Sequence, residues 1–379
     1  NGEISNLMIL IFIIIFMYLC FMIWMIDGYK NLSKNYIPIS EKPFVSVVVA
    51  ARNEELNIAG ILDCLKAQNY PQNKYEVIIC NDRSTDNTSK IIDYFKTDFP
   101  NLHSLNIKDL PNEWAGKKWA LYNGIKKARG EIILQTDADC TVNNNWIDAI
   151  VSQFSDETIG FVCGLSPLFN KKDKSFYNKM FFLDSIAQDA FIACAIGKGL
   201  TLSATGRNIA YRKKYFFQVN GYDEINNIIS GDDDLLLHKI VYYANCKVKF
   251  ILDNDATVYS NPPITFNQFL HQRLRFASKG FIYYNKNFIS KELKIILPFL
   301  YIVNFSVAIS LIAFCNNMSF LYLLPFLIKI IPDIIYIYSF KDYIELKNDL
   351  FIMIFTSVIH PFYIIIFGLL GPIYNFKWK

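Results

Sequence analysis

The chain has 379 residues, 53% of them hydrophobic and 16% aromatic, with a formal net charge of +4. It is too apolar for an ordinary soluble domain of this length, and so small a charge supplies no basic stripe of the kind that nucleic-acid binding requires. Its eight cysteines show no CxxC and no metal-type spacing, so they are expected to be reduced packing residues in a cytoplasmic environment.

In chain order, residues 7–26 carry no charge, and about 20 such residues suffice to cross a bilayer core. A transmembrane helix is therefore expected within residues 1–28. A cleaved signal peptide is the rival, but Glu3 precedes the run without any Lys or Arg, and no small-residue cleavage site stands before Asp27. From 44 to about 163 the pattern alternates strand and helix. Extended runs at 44–50, 75–80, 103–107 and 132–136 are separated by helical stretches that open at 52–55, 82–86 and 118. Such alternation predicts an α/β domain with a mostly parallel sheet, in which ligands bind beyond the carboxyl ends of the strands. Arg52, Asn53, Asp82, Asp137 and Asp139 all fall at those ends. Side chains two apart on an extended segment point the same way, so Asp137 and Asp139 can hold one hard divalent cation.

Beyond residue 163 the organisation changes. Residues 176–195 mix large apolar side chains with Asp184, Gln188 and Asp189, which fits an amphipathic interfacial helix or a core helix equally. A turn and strand follow at 203–211, then the dense acidic cluster Asp232, Asp233 and Asp234. Residues 262–294 are aromatic and basic together, a composition that settles at headgroup level. Three apolar stretches at 295–314, 320–340 and 350–370 complete the chain as further spans. Lys30, Lys34, Lys42 and Arg52 after the first span, with Lys286, Lys291 and Lys294 before the second, place the intervening domain in the cytoplasm by the positive-inside rule, whereas four spans put Lys377 and Lys379 outside, against it. Lys329 and Asp333, one turn apart in an apolar span, read as a structural pair or as a contact for a lipid headgroup.

The order of these motifs resembles the membrane-embedded family 2 glycosyltransferases of GT-A fold, over residues 44–276. Ala51, Arg52, Asn53 and Glu54 are similar to the family's opening strand and loop at the nucleotide. Asn81-Asp82-Arg83-Ser84-Thr85-Asp86 is similar to its Asp-Asp-Gly-Ser-Thr-Asp, with Asn for the first Asp and Arg for the Gly. Lys117 resembles the lysine that faces the diphosphate, and Asp137 and Asp139 the metal motif, with Mg2+ and Mn2+ both open. The acidic cluster resembles the motif that carries the catalytic base, which implies that role for Asp233. Gln272-Arg273-Leu274-Arg275-Phe276 looks like Gln-x-x-Arg-Trp, which implies that Gln272, Arg273 and Arg275 lie near the diphosphate. Gly206, Asn208, Asp232 and Phe276 are expected on the acceptor side.

The resemblance implies a GT-A catalytic domain, a Rossmann-like mixed sheet, over 29–261, an interfacial segment over 262–294, and one amino-terminal and about three carboxyl-terminal membrane helices, the last within 295–379. It also implies an inverting, metal-dependent transfer of sugar from a nucleotide diphosphate donor, UDP-linked by expectation, to a membrane lipid, with the inner membrane of a bacterium as the expected location. Phe276 in place of Trp, and only three spans after the domain, lean away from a processive polysaccharide synthase, which is the same-class alternative. A catalytically inactive membrane scaffold and a transporter are alternatives from other classes.

Overall fold

The computed structural model describes residues 2–34, 37–170, 172–343 and 350–373; Lys377 and Lys379 lie outside them. The long helix α1 (Gly2–Asp27) leads to the short strand β1 (Ser33–Lys34) and into β2 (Val45–Ala51), α2 (Ile58–Lys66), β3 (Tyr75–Asp82), α3 (Thr88–Phe95), β4 (Leu102–Ile107), α4 (Gly116–Lys127) and β5 (Ile132–Gln135). The chain continues through β6 (Cys140–Val142), α5 (Trp146–Val151), β7 (Ile159–Gly164), α6 (Phe176–Gly197), β8 (Ile209–Arg212), α7 (Lys213–Gln218), α8 (Asp234–Ala244), β9 (Lys247–Leu252) and β10 (Val258–Ser260). Five helices end it: α9 (Phe266–Ala277), α10 (Gly280–Asn285), α11 (Lys291–Asn317), α12 (Leu324–Tyr338) and α13 (Leu350–Leu370).

The main sheet has the order β1-β9-β7-β8-β5-β2-β3-β4, and β6 and β10 form a separate antiparallel pair. It is mostly parallel, as expected, and mixed only through β8, which runs antiparallel to both β5 and β7. Strand alternation splits its two faces. Val45, Val47 and Val49 pack with Ile58, Ile61 and Leu62 of α2 on one face, while Val48, Ile78 and Cys80 pack with Leu121 and Ile125 of α4 on the other. The second cluster runs on without a break into Met8, Ile11 and Ile15 of α1, so the domain and the membrane helices share one core.

Among the described residues, five helices are long and apolar enough to cross a membrane: α1, α6, α11, the α12 region and α13. Of these, α6 is by far the most buried, and Tyr336 of α12 donates to its Ala190 carbonyl at 2.7 Å. It is a core helix that joins the sheet to the bundle. Its end crosses the end of α1 so closely that a Cβ on Gly197 would stand 2.0 Å from the Gly28 carbonyl oxygen, and only glycine fits there. Lys329 pairs with Asp333 at 2.6 Å, and Tyr18 of α1 donates to the other Asp333 oxygen, so this intramembrane pair is satisfied inside the bundle.

The expected helix starts move: α3 begins at Thr88 rather than within 82–86, and α4 at Gly116 rather than 118. The stretch after β2 does not turn helical until Ile58, because Asn53 takes a left-handed φ of 54°. Its side-chain oxygen accepts from the Thr85 N–H at 2.9 Å, and Glu54 N–H donates to Thr88 Oγ1, which locks this loop to the one after β3.

Candidate active site

Register brings the carboxyl ends of β5, β2 and β3 side by side, Ala51 opposite Asn81. Asp82, buried there, is gripped by both ends of the Arg83 guanidinium at 2.8 and 3.0 Å, with Arg52 at 3.8 Å. Arg83 itself stands at φ 52°, the left-handed conformation that glycine adopts without strain. The substitution of Arg for Gly in this motif therefore adds a cation that orients Asp82. Asn53 and Glu54 use their side chains to brace the loops: Glu54 accepts from Asn57 Nδ2 at 2.8 Å.

Against Asp82, whose Oδ2 would stand 2.8 Å from a Cβ on Gly116, α4 begins and presents Lys117, whose ammonium lies 2.8 Å from both Asp137 and Asp232. Burial alone would lower its pKa, but the two carboxylates outweigh this and hold it above the ordinary lysine value. Lys117 thus ties the end of β5 to the acidic cluster, 95 residues further along the chain. Asp139 accepts from Ser260 Oγ of β10 at 3.3 Å, and burial together with the neighbouring charge of Asp137 raises its carboxyl above the usual range. Two carboxylates this close suit a shared cation. Among the described residues no three His, Cys, Asp or Glu gather as a metal cage, so the remaining ligands would have to come from diphosphate and water, as Mg2+ and Mn2+ accept.

The neighbouring Lys118 has a different task. It is fully buried, and its Nζ donates to the carbonyls of Ile225, Ile228 and Ser230 at 2.7–2.9 Å, with burial pulling the ammonium down to about 7. It fixes the loop that delivers the acidic cluster. Lys118→Met should lower the thermal stability of the purified protein by about 3 kcal/mol or more, since each carbonyl left without a donor costs about 1–3 kcal/mol. An unfolding midpoint equal to the parent's would contradict this.

The three acids meet three fates. Asp232 is 9% exposed and paired with Lys117; Asp234 is 2% exposed and paired with Lys279 at 2.6 Å; Asp233 is 21% exposed and, among the described residues, has no cation closer than Lys279 at 4.0 Å. Asp233 caps α8, accepting from Asp234 N–H at 2.7 Å and, with its other oxygen, from Gly206 N–H at 2.9 Å. Burial and the adjacent Asp234 charge raise its carboxyl above the ordinary value. For Asp234, burial acts upward too, but Lys279 and its hydrogen bonds win and hold it low. Asp233 is the most exposed and the least closely paired of the three acids.

Residues 46–218 match the family model described as Glycosyl transferase family 2. The chain carries a family 2 glycosyltransferase domain. It is 26% identical over 250 residues to the probable glycosyltransferase YdaM of Bacillus subtilis, covering 65% of this chain and 58% of that protein. It is 27% identical over 250 residues to the β-monoglucosyldiacylglycerol synthase of a Synechocystis species, covering 63% of this chain and 48% of the relative. The chain thus spans about half the length of these relatives. Among solved structures, the mannosyltransferase PcManGT of Pyrobaculum calidifontis, in complex with GDP-Man and Mn2+, superposes with a TM-score of 0.59 at 17% identity, over 98% of this chain and 97% of that one, which shows the shared GT-A-like fold.

Two residues expected at the glycosyltransferase site are otherwise engaged. Asn208 spends both its side-chain ends inside the protein: Nδ2 donates to Leu165 and Ala256 carbonyls at 2.8 and 2.7 Å, and Oδ1 accepts from Trp146 Nε1 at 3.1 Å. It staples loops behind the site instead of facing an acceptor. Arg273 points away from the sheet, ion-paired with Asp184 of α6 at 2.5 Å and ringed by Phe181, Phe269, Phe276 and Tyr363 at 5.6–5.9 Å. It bolts α9 to α6 and α13. Arg275 lies over the Phe276 ring at 5.3 Å, and Phe276 itself is 37% exposed. The Gln272 side-chain oxygen is buried without a hydrogen-bond partner, which leaves an acceptor open on the inner side of α9. Lys279, Tyr283 and Lys118 carry no distinguishing signal in the sequence, whereas Arg83 stands out there as Arg in place of Gly.

Proposed function

We propose that this protein transfers one sugar from a nucleotide diphosphate donor, UDP-linked, to a membrane lipid, by a single inverting displacement. The observation that carries this reading is the Lys117 bridge, which joins the Asp-x-Asp carboxylates to the acidic cluster and so sets a donor-handling group beside a proton acceptor. Arg52 and Asp82 lie at the end of the same strands, where the base and ribose would bind. Lys117 would shift from Asp137 toward the diphosphate and offset the negative charge that grows on the leaving group, a stabilisation greater in the transition state than before it. Mg2+ or Mn2+ held by Asp137 and Asp139 would add Lewis-acid stabilisation of the same leaving group. Asp233 would take the proton of the acceptor hydroxyl as that oxygen bonds to the anomeric carbon.

A lipid acceptor is supported by the interfacial segment and by the names of relatives that make a glucosyldiacylglycerol. Ile264, Phe266 and Phe281 expose 85%, 71% and 68% of their surface on that segment, and such side chains settle at headgroup level. With Phe276 partly exposed beside Arg275, Phe276→Ala should raise the apparent KM for the lipid several-fold while kcat stays within about twofold, because an apolar contact is alike before and during reaction. A fall in kcat at unchanged KM would place Phe276 elsewhere.

The proposal is tested by incubating the detergent-purified protein with UDP-glucose, UDP-N-acetylglucosamine or GDP-mannose, divalent cation and extracted bacterial lipids. A lipid mass shift of a single sugar is expected. A ladder of long glycans would point to a processive synthase instead.

A further inference from the structure

The acidic cluster is flanked by two buried lysines that arrive from opposite sides. Lys117 comes from α4, on the donor side, and takes Asp232. Lys279 comes from the turn between α9 and α10, in the aromatic segment assigned to the membrane surface, and takes Asp234 at 2.6 Å. Tyr283, one turn later, donates to the same Asp234 oxygen. The other Asp234 oxygen accepts from Leu235 N–H, and the Asp234 N–H in turn holds Asp233 Oδ1. A continuous set of contacts therefore runs from the interfacial segment, through Asp234, to Asp233.

A structural ion pair alone would not need this arrangement. Asp234 opens α8, where a carboxylate is already favoured by the helix dipole, and replacing a buried pair by apolar groups is often neutral for stability. Among the described residues the lysine is also the cation nearest to Asp233, at 4.0 Å from its Oδ1.

We propose that Lys279 is a positioning residue: seated with Tyr283 on Asp234, it makes the placement and the proton affinity of the Asp233 carboxylate depend on how the interfacial segment is docked against the domain. The proposal rests on Asp233 being the base. A lipid that reaches the site from the bilayer passes this segment, so the base would be fully competent only when the segment that receives the acceptor is in place.

The groups that act on Asp233 are Asp232 and Asp234 in the cluster, Lys117 and Lys118 on α4, Lys279 and Tyr283 from the interfacial segment, Cys163 at the end of β7, and Tyr222. The sign of the Lys279 effect follows from charge. A cation at this distance favours the carboxylate, so its loss makes Asp233 hold its proton to higher pH. The acid limb of kcat against pH, below which the base is protonated, should therefore move upward.

The test uses the full-length protein in detergent and whichever of UDP-glucose, UDP-N-acetylglucosamine or GDP-mannose it turns over. Lys279→Met should move the acid limb up by about one pH unit, since an opposite charge within 4–6 Å typically shifts a carboxylate by at least that much. Lys279→Arg should keep the limb near the parent's, and Lys279→Met combined with Asp234→Asn should bring it back. Affinity for UDP or GDP alone, by calorimetry, should not change. A uniform fall in kcat with the limb unmoved would overturn the proposal, leaving Lys279 a structural residue. Thermal unfolding gives an arm independent of turnover: the losses from Lys279→Met and Asp234→Asn should be strongly non-additive, and additive losses would also overturn it. If instead Asp233→Asn turned over normally, the assignment of the base would fail, whatever the Lys279 variants did.

Discussion

Asp233→Asn is expected to abolish sugar transfer, by three orders of magnitude or more, while nucleoside diphosphate binding stays within about twofold of the parent. The amide is nearly the same size and its one oxygen can still accept from Asp234 N–H, so the α8 cap should survive, while the contact with Gly206 N–H is lost. It cannot take a proton, and general-base catalysis supplies about 10²–10⁴-fold. The neighbours should behave differently. Asp234→Asn leaves Lys279 buried without its partner, a change that costs about 3–5 kcal/mol and shows first in stability. Asp232→Asn loosens Lys117 and should weaken donor handling. Kinetics at saturating donor together with calorimetry of diphosphate binding separate the three, and a fully active Asp233→Asn would shift the base to another acid.

Asp137→Asn and Asp139→Asn should each lower activity about a hundredfold or more with little change in unfolding temperature, because the metal is expected to supply several kcal/mol to the leaving group. Neither side chain is part of the apolar core that carries the fold; Asp137 is 31% exposed and contacts Lys117. The two variants should also differ in kind. Asp137→Asn removes a charge from Lys117 as well as from the metal, so extra Mn2+ should restore less of its activity than it restores in Asp139→Asn. Activity in chelator equal to that in Mg2+ or Mn2+, with either variant unimpaired, would remove the metal assignment.

What the sequence made visible is what short-range geometry determines. The alternation from 44 to 136 predicted four strands that the structure contains as β2 to β5, because apolar runs of five to eight residues between polar turns admit few other readings. Asp137 and Asp139 stood out by the two-residue period of an extended chain, and the acidic cluster by density alone. Long-range pairings were not legible. Nothing near Lys279 indicates that it closes on an acid 45 residues earlier, and nothing near Lys118 indicates that three carbonyls from 225 to 230 surround it. Arg273 and Arg275 are two residues apart in one motif, yet helical geometry sends Arg273 into the aromatic cage against α6 and α13. The strands β6 and β10 are three residues each and gain their order only by pairing with each other, which leaves no periodicity to read. The helix α6 was ambiguous because its scattered polar groups suit an interface as well as a core. Their partners decide the matter: Asp189 accepts from Ser166 N–H at 2.6 Å and Asn178 donates to two loop carbonyls.

The measurement that bears most directly on the account is the anomeric configuration of the lipid product. The purified enzyme, given an α-linked nucleotide sugar, divalent cation and the lipid that accepts sugar in the mass assay, should yield a glycolipid whose anomeric proton shows the β configuration by NMR from the earliest time point, with one sugar per lipid. That result follows from a single displacement with Asp233 as base. An α-linked product would require two displacements or front-side attack, for which the account provides no nucleophile, and would contradict it.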